Sequence, residues 1–258
     1  VFRATLFLSL ALLLAFYLCT FTSPAVFTDP RQLVLALLSD EVKFAILLSI
    51  ITATCATAIS LIIGIPAAYA LSRLSFRGKS MIESFLDIPM AVPPVALGVM
   101  LLIFFARNPL GSFINEKVIK FVFEVSGIVL AQFAVVSALT IKMLKETFDG
   151  ISPRYEKIAR TLGYTELETF FYITLPTAKR GILGATLLSW SRALGEFGAT
   201  IMLAGAMRFK TETLPVAIYL SLAVGDLESV ATLSIILLLV SCATQMAVRK
   251  LLYRGLAL

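Results

Sequence analysis

Arg192 and Glu196 stand one helical turn apart inside a long apolar run, in the stretch Ser191-Arg192-Ala193-Leu194-Gly195-Glu196-Phe197-Gly198-Ala199-Thr200. At bilayer depth a charge costs at least roughly 2.5–3.5 kcal/mol on insertion scales, so two charges in such a run require a reason. Two readings are open. In one, the pair neutralises itself or pairs across to another helix, and locks helices together. In the other, Arg192 lends positive potential to the path of an anion. Base before acid is the less favourable order for a pair on one helix. Gly195 and Gly198 are small enough to let another backbone approach closely.

A second stretch, Asp87-Ile88-Pro89-Met90-Ala91-Val92-Pro93-Pro94-Val95-Ala96-Leu97-Gly98, carries three prolines. Each removes a backbone donor, and together they prevent a regular helix start. Irregular backbone at membrane depth is tolerated where it is buried in protein or faces a water-filled cavity. Pro93, Pro94 and Gly98 are therefore candidates for a bent helix lining a passage; the alternative is an interfacial turn with no part in transport. Gly78-Lys79-Ser80 has the ending of a phosphate-binding loop, but Arg73 occupies the position of the first glycine that motif needs. ATP binding by that route is excluded. With no histidine in the chain, histidine acid–base chemistry and histidine metal ligation are excluded too. Cys19, Cys55 and Cys242 lack the spacing of a metal or redox motif and read as small core residues. No catalytic, metal-binding or cofactor-binding residues are expected.

The third stretch is polar. Residues 152–176 run from Ser152-Pro153-Arg154-Tyr155-Glu156-Lys157 through Ala159, Arg160 and Gly163 to Leu175-Pro176. Ser152 suits an N-cap and Pro153 the first helical position. Gly163 can close that helix in the left-handed conformation. Thr165-Glu166-Leu167-Glu168 matches a capping box that starts a second helix, and Pro176 is expected to end it. A folded helix–glycine–helix element in place of a plain connector predicts a docking site, carried by Arg154, Tyr155, Glu156, Lys157, Ala159, Arg160 and Gly163.

Composition places these stretches in an integral membrane protein. Of 258 residues, 59% are hydrophobic and 15% charged, against roughly 45–50% and about 25% for soluble domains. Long apolar runs without period-two alternation predict an all-α membrane domain, one domain over residues 1–258, rather than a barrel. Six spans are expected: about 3–21, 44–71, 88–106, 127–143, 181–204 and 229–248. A retained helix rather than a cleaved signal peptide is expected at the first. Residues 32–38 and 214–224 are apolar but too short to cross; they lie along the interface, or the second dips in. The net charge of +6 reads as topology, not nucleic-acid binding. With both termini in the cytoplasm, the inner side holds Arg3, Arg73, Arg77, Lys79, Lys142, Lys145, Arg154, Lys157, Arg160, Lys179, Arg180, Arg249, Lys250 and Arg254. The outer side holds half as many: Arg31, Lys43, Arg107, Lys117, Lys120, Arg208 and Lys210. This orientation puts residues 152–176 in the cytoplasm.

That polar stretch resembles the cytoplasmic loop of permease subunits of binding-protein-dependent ABC importers, which reads Glu-Ala-Ala, three residues, Gly, nine residues, Ile, one residue, Leu-Pro. Ala159, Gly163, Ile173, Leu175 and Pro176 fit; Lys157 and Ile158 depart, with Glu156 one position early. Pro93-Pro94-Val95-Ala96-Leu97-Gly98 and the Arg192–Thr200 stretch are similar to the molybdate/tungstate and sulfate branch. The resemblance implies a type I importer permease fold with a coupling helix in the loop at about 150–180, in a multi-pass protein of the cell membrane. It implies a homodimer bound to two ATPase subunits inside and a substrate-binding protein outside. ATP and Mg would sit on the ATPases, and the oxyanion would be substrate. Molybdate or tungstate is the first expectation; sulfate or thiosulfate, or another importer substrate, is the alternative. Two readings from other classes are an ion-coupled secondary transporter, for which only Arg192 and Glu196 offer charges in the membrane, and a non-transporting scaffold.

Overall fold

The computed structural model describes residues 2–254, with side chains through residue 246 except Ala4. Arg249, Lys250 and Arg254, counted above among the inner cations, have side chains outside the described residues. Among the described residues the fold is helical throughout. Helix α1 (Phe2–Thr22) ends in a 3-10 turn (Ser23–Val26), and α2 (Pro30–Leu38) follows. Next come α3 (Asp40–Arg73), α4 (Lys79–Ala91), α5 (Pro94–Arg107), α6 (Pro109–Lys117) and α7 (Val125–Asp149). The loop region holds α8 (Arg154–Thr161), α9 (Glu166–Thr169) and a π-helical turn (Phe170–Thr174). Last are α10 (Leu175–Leu194), α11 (Gly198–Ala204), α12 (Leu214–Ala223) and α13 (Leu227–Arg254).

Local chemistry sets the ends of these helices. Asp29, Ser39 and Asn108 accept backbone N–H bonds at the starts of α2, α3 and α6, satisfying donors a helix cannot satisfy itself. Four helices, α1, α3, α7 and α13, are long and apolar enough to cross a membrane, and the pair α4–α5 makes a fifth if counted as one span. The expected span 88–106 is not one helix. α4 and α5 meet at 108°, because Val92 and Pro93 are extended (ψ 131° and 135°). A residue before proline is pushed out of the helical region, and two consecutive prolines push twice. The expected span 181–204 is likewise divided, into α10 and α11, by the turn at Gly195-Glu196-Phe197.

Helix α7 is the central strut. Its Ile128, Val136, Leu144 and Phe148 are buried, packed by α3, α10 and α11. The buried face of α3 is made of small residues: Ala45, Ser49, Thr52, Ala53, Ala56, Ser60, Gly64 and Ala68, of which Ala45 packs on α12 and α13. Lipid tails are as apolar as leucine, so such helices associate by close packing, which small side chains permit. Gly181 brings α10 onto α7, where a Cβ would collide with the Thr147 side chain. Higher up, the Thr140 and Ser189 hydroxyls join the same helices at 2.7 Å. α1 buries none of its apolar window. Of the two short apolar segments, α2 has no buried residue. α12 is set into the protein at its start: Leu214, Pro215, Val216 and Ala217 are buried, and the Leu214 N–H donates to Ser49 Oγ on α3 at 2.8 Å. The expectation of core cysteines is corrected: Cys19, Cys55 and Cys242 are all exposed free thiols on the outer faces of their helices. In a membrane the outward face is as apolar as the core, so hydropathy does not separate the two.

Candidate functional site

Helix α8 is built from its caps inward. Pro153, at φ −61°, takes the cap position, one residue later than expected, and the Ser152 hydroxyl accepts the Arg154 N–H at 3.4 Å. At the other end Gly163 has φ +96° with open space where a Cβ would stand. Conformation alone requires glycine there. The chain reverses over the Tyr164 N–H to Ala159 carbonyl bond at 3.2 Å. The Thr165/Glu168 capping box forms as expected, and the N–H and hydroxyl of Thr165 hold the Glu168 carboxyl below its ordinary range. Pro176 does not end the second helix. α9 runs through the π-helical turn into α10, with Pro176 in the first turn of α10. The missing N–H of proline is no loss where the hydrogen-bond register is already shifted by the π turn.

The face of α8 that meets the membrane domain is fixed by Glu156. Its carboxylate accepts from Arg73 Nε at 2.9 Å and from Thr174 Oγ1 at 3.0 Å, with the Tyr69 hydroxyl at 3.5 Å. Arg73 also donates through Nη2 to the Ile151 carbonyl at 2.9 Å. The pair is nearly buried, at 12% and 13% side-chain exposure. Glu156 thus makes polar contacts to α3 and to the start of α10 although it sits one place early in the loop motif. Ala159 is also turned inward, at 4% exposure. The adjoining face presents Tyr155, Ile158 and Leu162, exposed at 58%, 57% and 74%, and Arg154, Lys157 and Arg160 are exposed around the rest of the helix. Spacing of three and four residues puts the apolar three in one ridge. Arg160 is tied to Glu166 at 2.8 Å. Sequence reading missed Arg73, Tyr69 and Thr174. Arg73 read only as a charge at a span end, because nothing in a linear chain shows which loop it reaches.

The two other candidate stretches come together. A Cβ on Gly98 would stand 2.7 Å from Ala199 Cα and carbonyl oxygen, and one on Gly198 would stand 2.9 Å from Val95 Cγ2. α5 and α11 therefore cross backbone to backbone, at Pro94–Gly98 over Gly198–Ala199. Gly195 plays no such part: it is exposed, and its Cβ would meet only Ser191 oxygen at 3.8 Å. Pro93 is exposed and Pro94 half-buried against Gly198. Arg192 Nη1 donates to Glu196 Oε2 at 2.7 Å, and Glu196 Oε1 accepts the Ala199 N–H at 2.9 Å. Glu196 is 1% and Arg192 39% exposed at the side chain. The carboxylate is thus held between the guanidinium and the start of α11, across the helix break rather than along one helix. Gln132 on α7 is buried with neither amide atom partnered among the described residues, a feature without a sequence signal.

Residues 60–257 match the family described as binding-protein-dependent transport system inner membrane component. Over 235 residues the chain is 34% identical to a probable molybdenum ABC transporter permease protein of Haloferax volcanii, covering 91% of this chain and 85% of that one. It is 37% identical over 188 residues to the molybdenum transport system permease protein ModB of Escherichia coli K12, covering 71% and 81%. Among solved structures it resembles a chain of a bacterial alginate ABC transporter in complex with an alginate pentasaccharide-bound periplasmic protein. The TM-score is 0.72 at 14% identity, covering 95% of this chain and 92% of that one.

Proposed function

This chain belongs to the family of binding-protein-dependent transport system inner membrane components, as a multi-pass ABC importer permease, and we propose that it carries a tetrahedral oxyanion, molybdate or tungstate, into the cell. The substrate follows from the relatives named for molybdenum transport. Two copies form the passage, two ATPase subunits bind from the cytoplasm, and a substrate-binding protein delivers the anion from outside, with both termini inside. ATP and Mg belong to the ATPases; this chain performs no hydrolysis.

The observation that carries the reading is the apolar ridge Tyr155–Ile158–Leu162, held out on a short capped helix whose neighbouring face is fastened by Glu156 to Arg73. An exposed helical ridge of this kind fits a groove on a partner. ATP binding draws the ATPases together and moves both α8 helices. The Glu156–Arg73 link passes that movement to α3, and the Thr174 contact passes it to α10. The helices then switch as rigid bodies between two packings. Arg192 offers the passage the free donors left after its pairing with Glu196. A neutralised pair attracts a dianion weakly, which suits a site that must release its cargo. Pro93, Pro94, Gly98 and Gly198 form the close crossing next to it.

The test is reconstitution with the ATPase and the binding protein. ATP-dependent molybdate uptake, with capture of the ATPase by a short crosslinker on Tyr155→Cys, is the expected result. Calorimetry on the binding protein ranks molybdate, tungstate and sulfate. Uptake that needs no ATPase would overturn the proposal in favour of an ion-coupled carrier.

A further inference from the structure

The start of α3, α2, α12 and the start of α13 surround an open cavity of about 820 Å³. It lies at the N-terminal end of α3, whereas α8 is fastened at the C-terminal end through Arg73. At a rise of 1.5 Å per residue the helix between Glu41 and Arg73 is roughly 48 Å long, about a bilayer with its headgroups. The cavity and the docking ridge therefore open on opposite sides of the membrane.

The lining is acidic. Glu41, Glu212 and Asp226 supply carboxylates, and Arg208 is the one cation in the wall among the described residues. Arg208 Nη1 is taken by Glu41 at 3.2 Å. Asp226 is a fixed negative charge, because the Ser229 N–H and hydroxyl donate to it at 3.0 and 2.6 Å and hold its carboxyl low. Glu212 is different. It is 8% exposed and accepts no hydrogen bond from any described residue. Burial first, and then the neighbouring Glu41, push its carboxyl up, with Arg208 opposing. Independently, Thr232 in the same wall is 3% exposed and its hydroxyl has no partner among the described residues. Buried polar groups are normally paired; the Thr232 hydroxyl is not, and the Glu212 carboxylate opens into the same cavity without a hydrogen-bond donor among the described residues.

Net negative charge repels an oxyanion, so this cavity lies off the substrate's route. Nor do its carboxylates converge as metal ligands: no group of three such residues with that geometry exists among the described residues. The wall suits a cation with an apolar stem. Leu35, Ala217, Leu220 and Leu233 can cover the stem, while Glu212 and the Thr232 hydroxyl accept from its head. We propose that this cavity is the socket for an arginine or lysine side chain of the substrate-binding protein. The occupant is a protein side chain because the cavity is open and faces the side from which the carrier of the anion must arrive. A desolvated pocket that takes a single cationic anchor is a common centre of protein–protein affinity.

The inference rests on the importer reading, and the experiment separates the two. The permease–ATPase complex is held in lipid nanodiscs and titrated with molybdate-loaded binding protein. Glu212→Gln keeps the shape of the side chain and removes a buried charge, so it folds. It is expected to weaken binding at least tenfold, mainly through faster dissociation. Glu212→Lys weakens it further, and one charge reversal among the basic surface residues of the binding protein restores it. Lys117→Gln, on the exposed outer helix α6, leaves affinity unchanged. Unaltered affinity for both Glu212 variants overturns the socket. So does saturable binding of free arginine that fails to compete with the binding protein, since the occupant is then a small cation. If the unmodified complex does not bind the protein at all, the importer reading itself fails.

Discussion

Replacing Glu156 by alanine tests the link between the docking ridge and the membrane helices. The carboxylate is held by Arg73 at 2.9 Å and Thr174 at 3.0 Å; the Tyr69 hydroxyl, at 3.5 Å, is at the edge of a hydrogen bond and adds little. Removing one member of a buried ion pair costs about 3–5 kcal/mol, since the other is left uncompensated. Arg73 would retain the Ile151 carbonyl and the Ser72 hydroxyl, which puts the loss at the lower end. About 3 kcal/mol loosens the seating of α8 by roughly 100-fold. Two measurements follow. In proteoliposomes, ATP consumed per anion imported rises several-fold. By hydrogen exchange, the amides of residues 157–162 lose protection by up to two orders of magnitude. Glu156→Leu with Arg73→Met recovers part of both, because neither charge is then buried alone. Wild-type coupling together with unchanged exchange in Glu156→Ala would refute the reasoning.

Gly98→Ala drives a methyl into the Ala199 backbone, where 2.7 Å is available, and is expected to cost about 1–3 kcal/mol as overpacking; Gly195→Ala, with open space around it, leaves the melting temperature in detergent unchanged. Gly163→Ala forces a Cβ into φ +96°, at about 1–2 kcal/mol, and lowers affinity for the ATPase subunit in a pull-down titration without altering the transmembrane fold. In the isolated permease Glu212 ionises less readily than an ordinary glutamate. Its favourable, neutral form is fully present below the ordinary glutamate range, and that stability is lost as pH rises through the raised value. Glu212→Gln should therefore match wild type in acid and melt higher near neutral pH, a gap that a pH series of thermal melts reads directly.

What the residue order announced, and what it concealed, divides along physical lines. The loop at 152–176 was legible because helix ends in polar chain are marked by residue types with local roles. Ser152, Thr165 and Glu168 bond the free backbone groups, and Pro153 and Gly163 supply the conformations that begin and end α8. The spans were legible where they are unbroken, as in α3 and α7. The prolines at 93 and 94 gave warning of irregular backbone but not of a 108° turn, because the direction after a break is set by what the second helix packs on, here α11. The division at Gly195 was hidden by the apolarity on both sides of it. Pro176 misled because a helix breaker becomes harmless where the register is already altered. Residues on lipid-facing and protein-facing sides of one helix share a hydropathy, which hid the cysteines. Arg73 with Glu156, and Glu41 with Arg208, join positions far apart in the chain, and no local pattern encodes such partnerships.

The π-helical turn at Phe170–Thr174 has a bearing on how this polypeptide tolerates length changes. Such a turn accommodates one residue more than regular winding allows. Deleting a single residue within Phe170–Thr174 would give back an unbroken α-helix and leave the bearing of everything upstream nearly unchanged, because the five residues of the turn wind about as far as four of a regular helix. A deletion between Leu175 and Gly181, in regular winding, would instead swing everything upstream by about 100° around the axis of α10, the angle one residue occupies. Tyr155, Ile158 and Leu162 would then point sideways, and Glu156 would swing away from Arg73. The residue count in α10 behaves as a compass bearing for the ridge, and the wide turn ahead of it as the slack that absorbs a miscount.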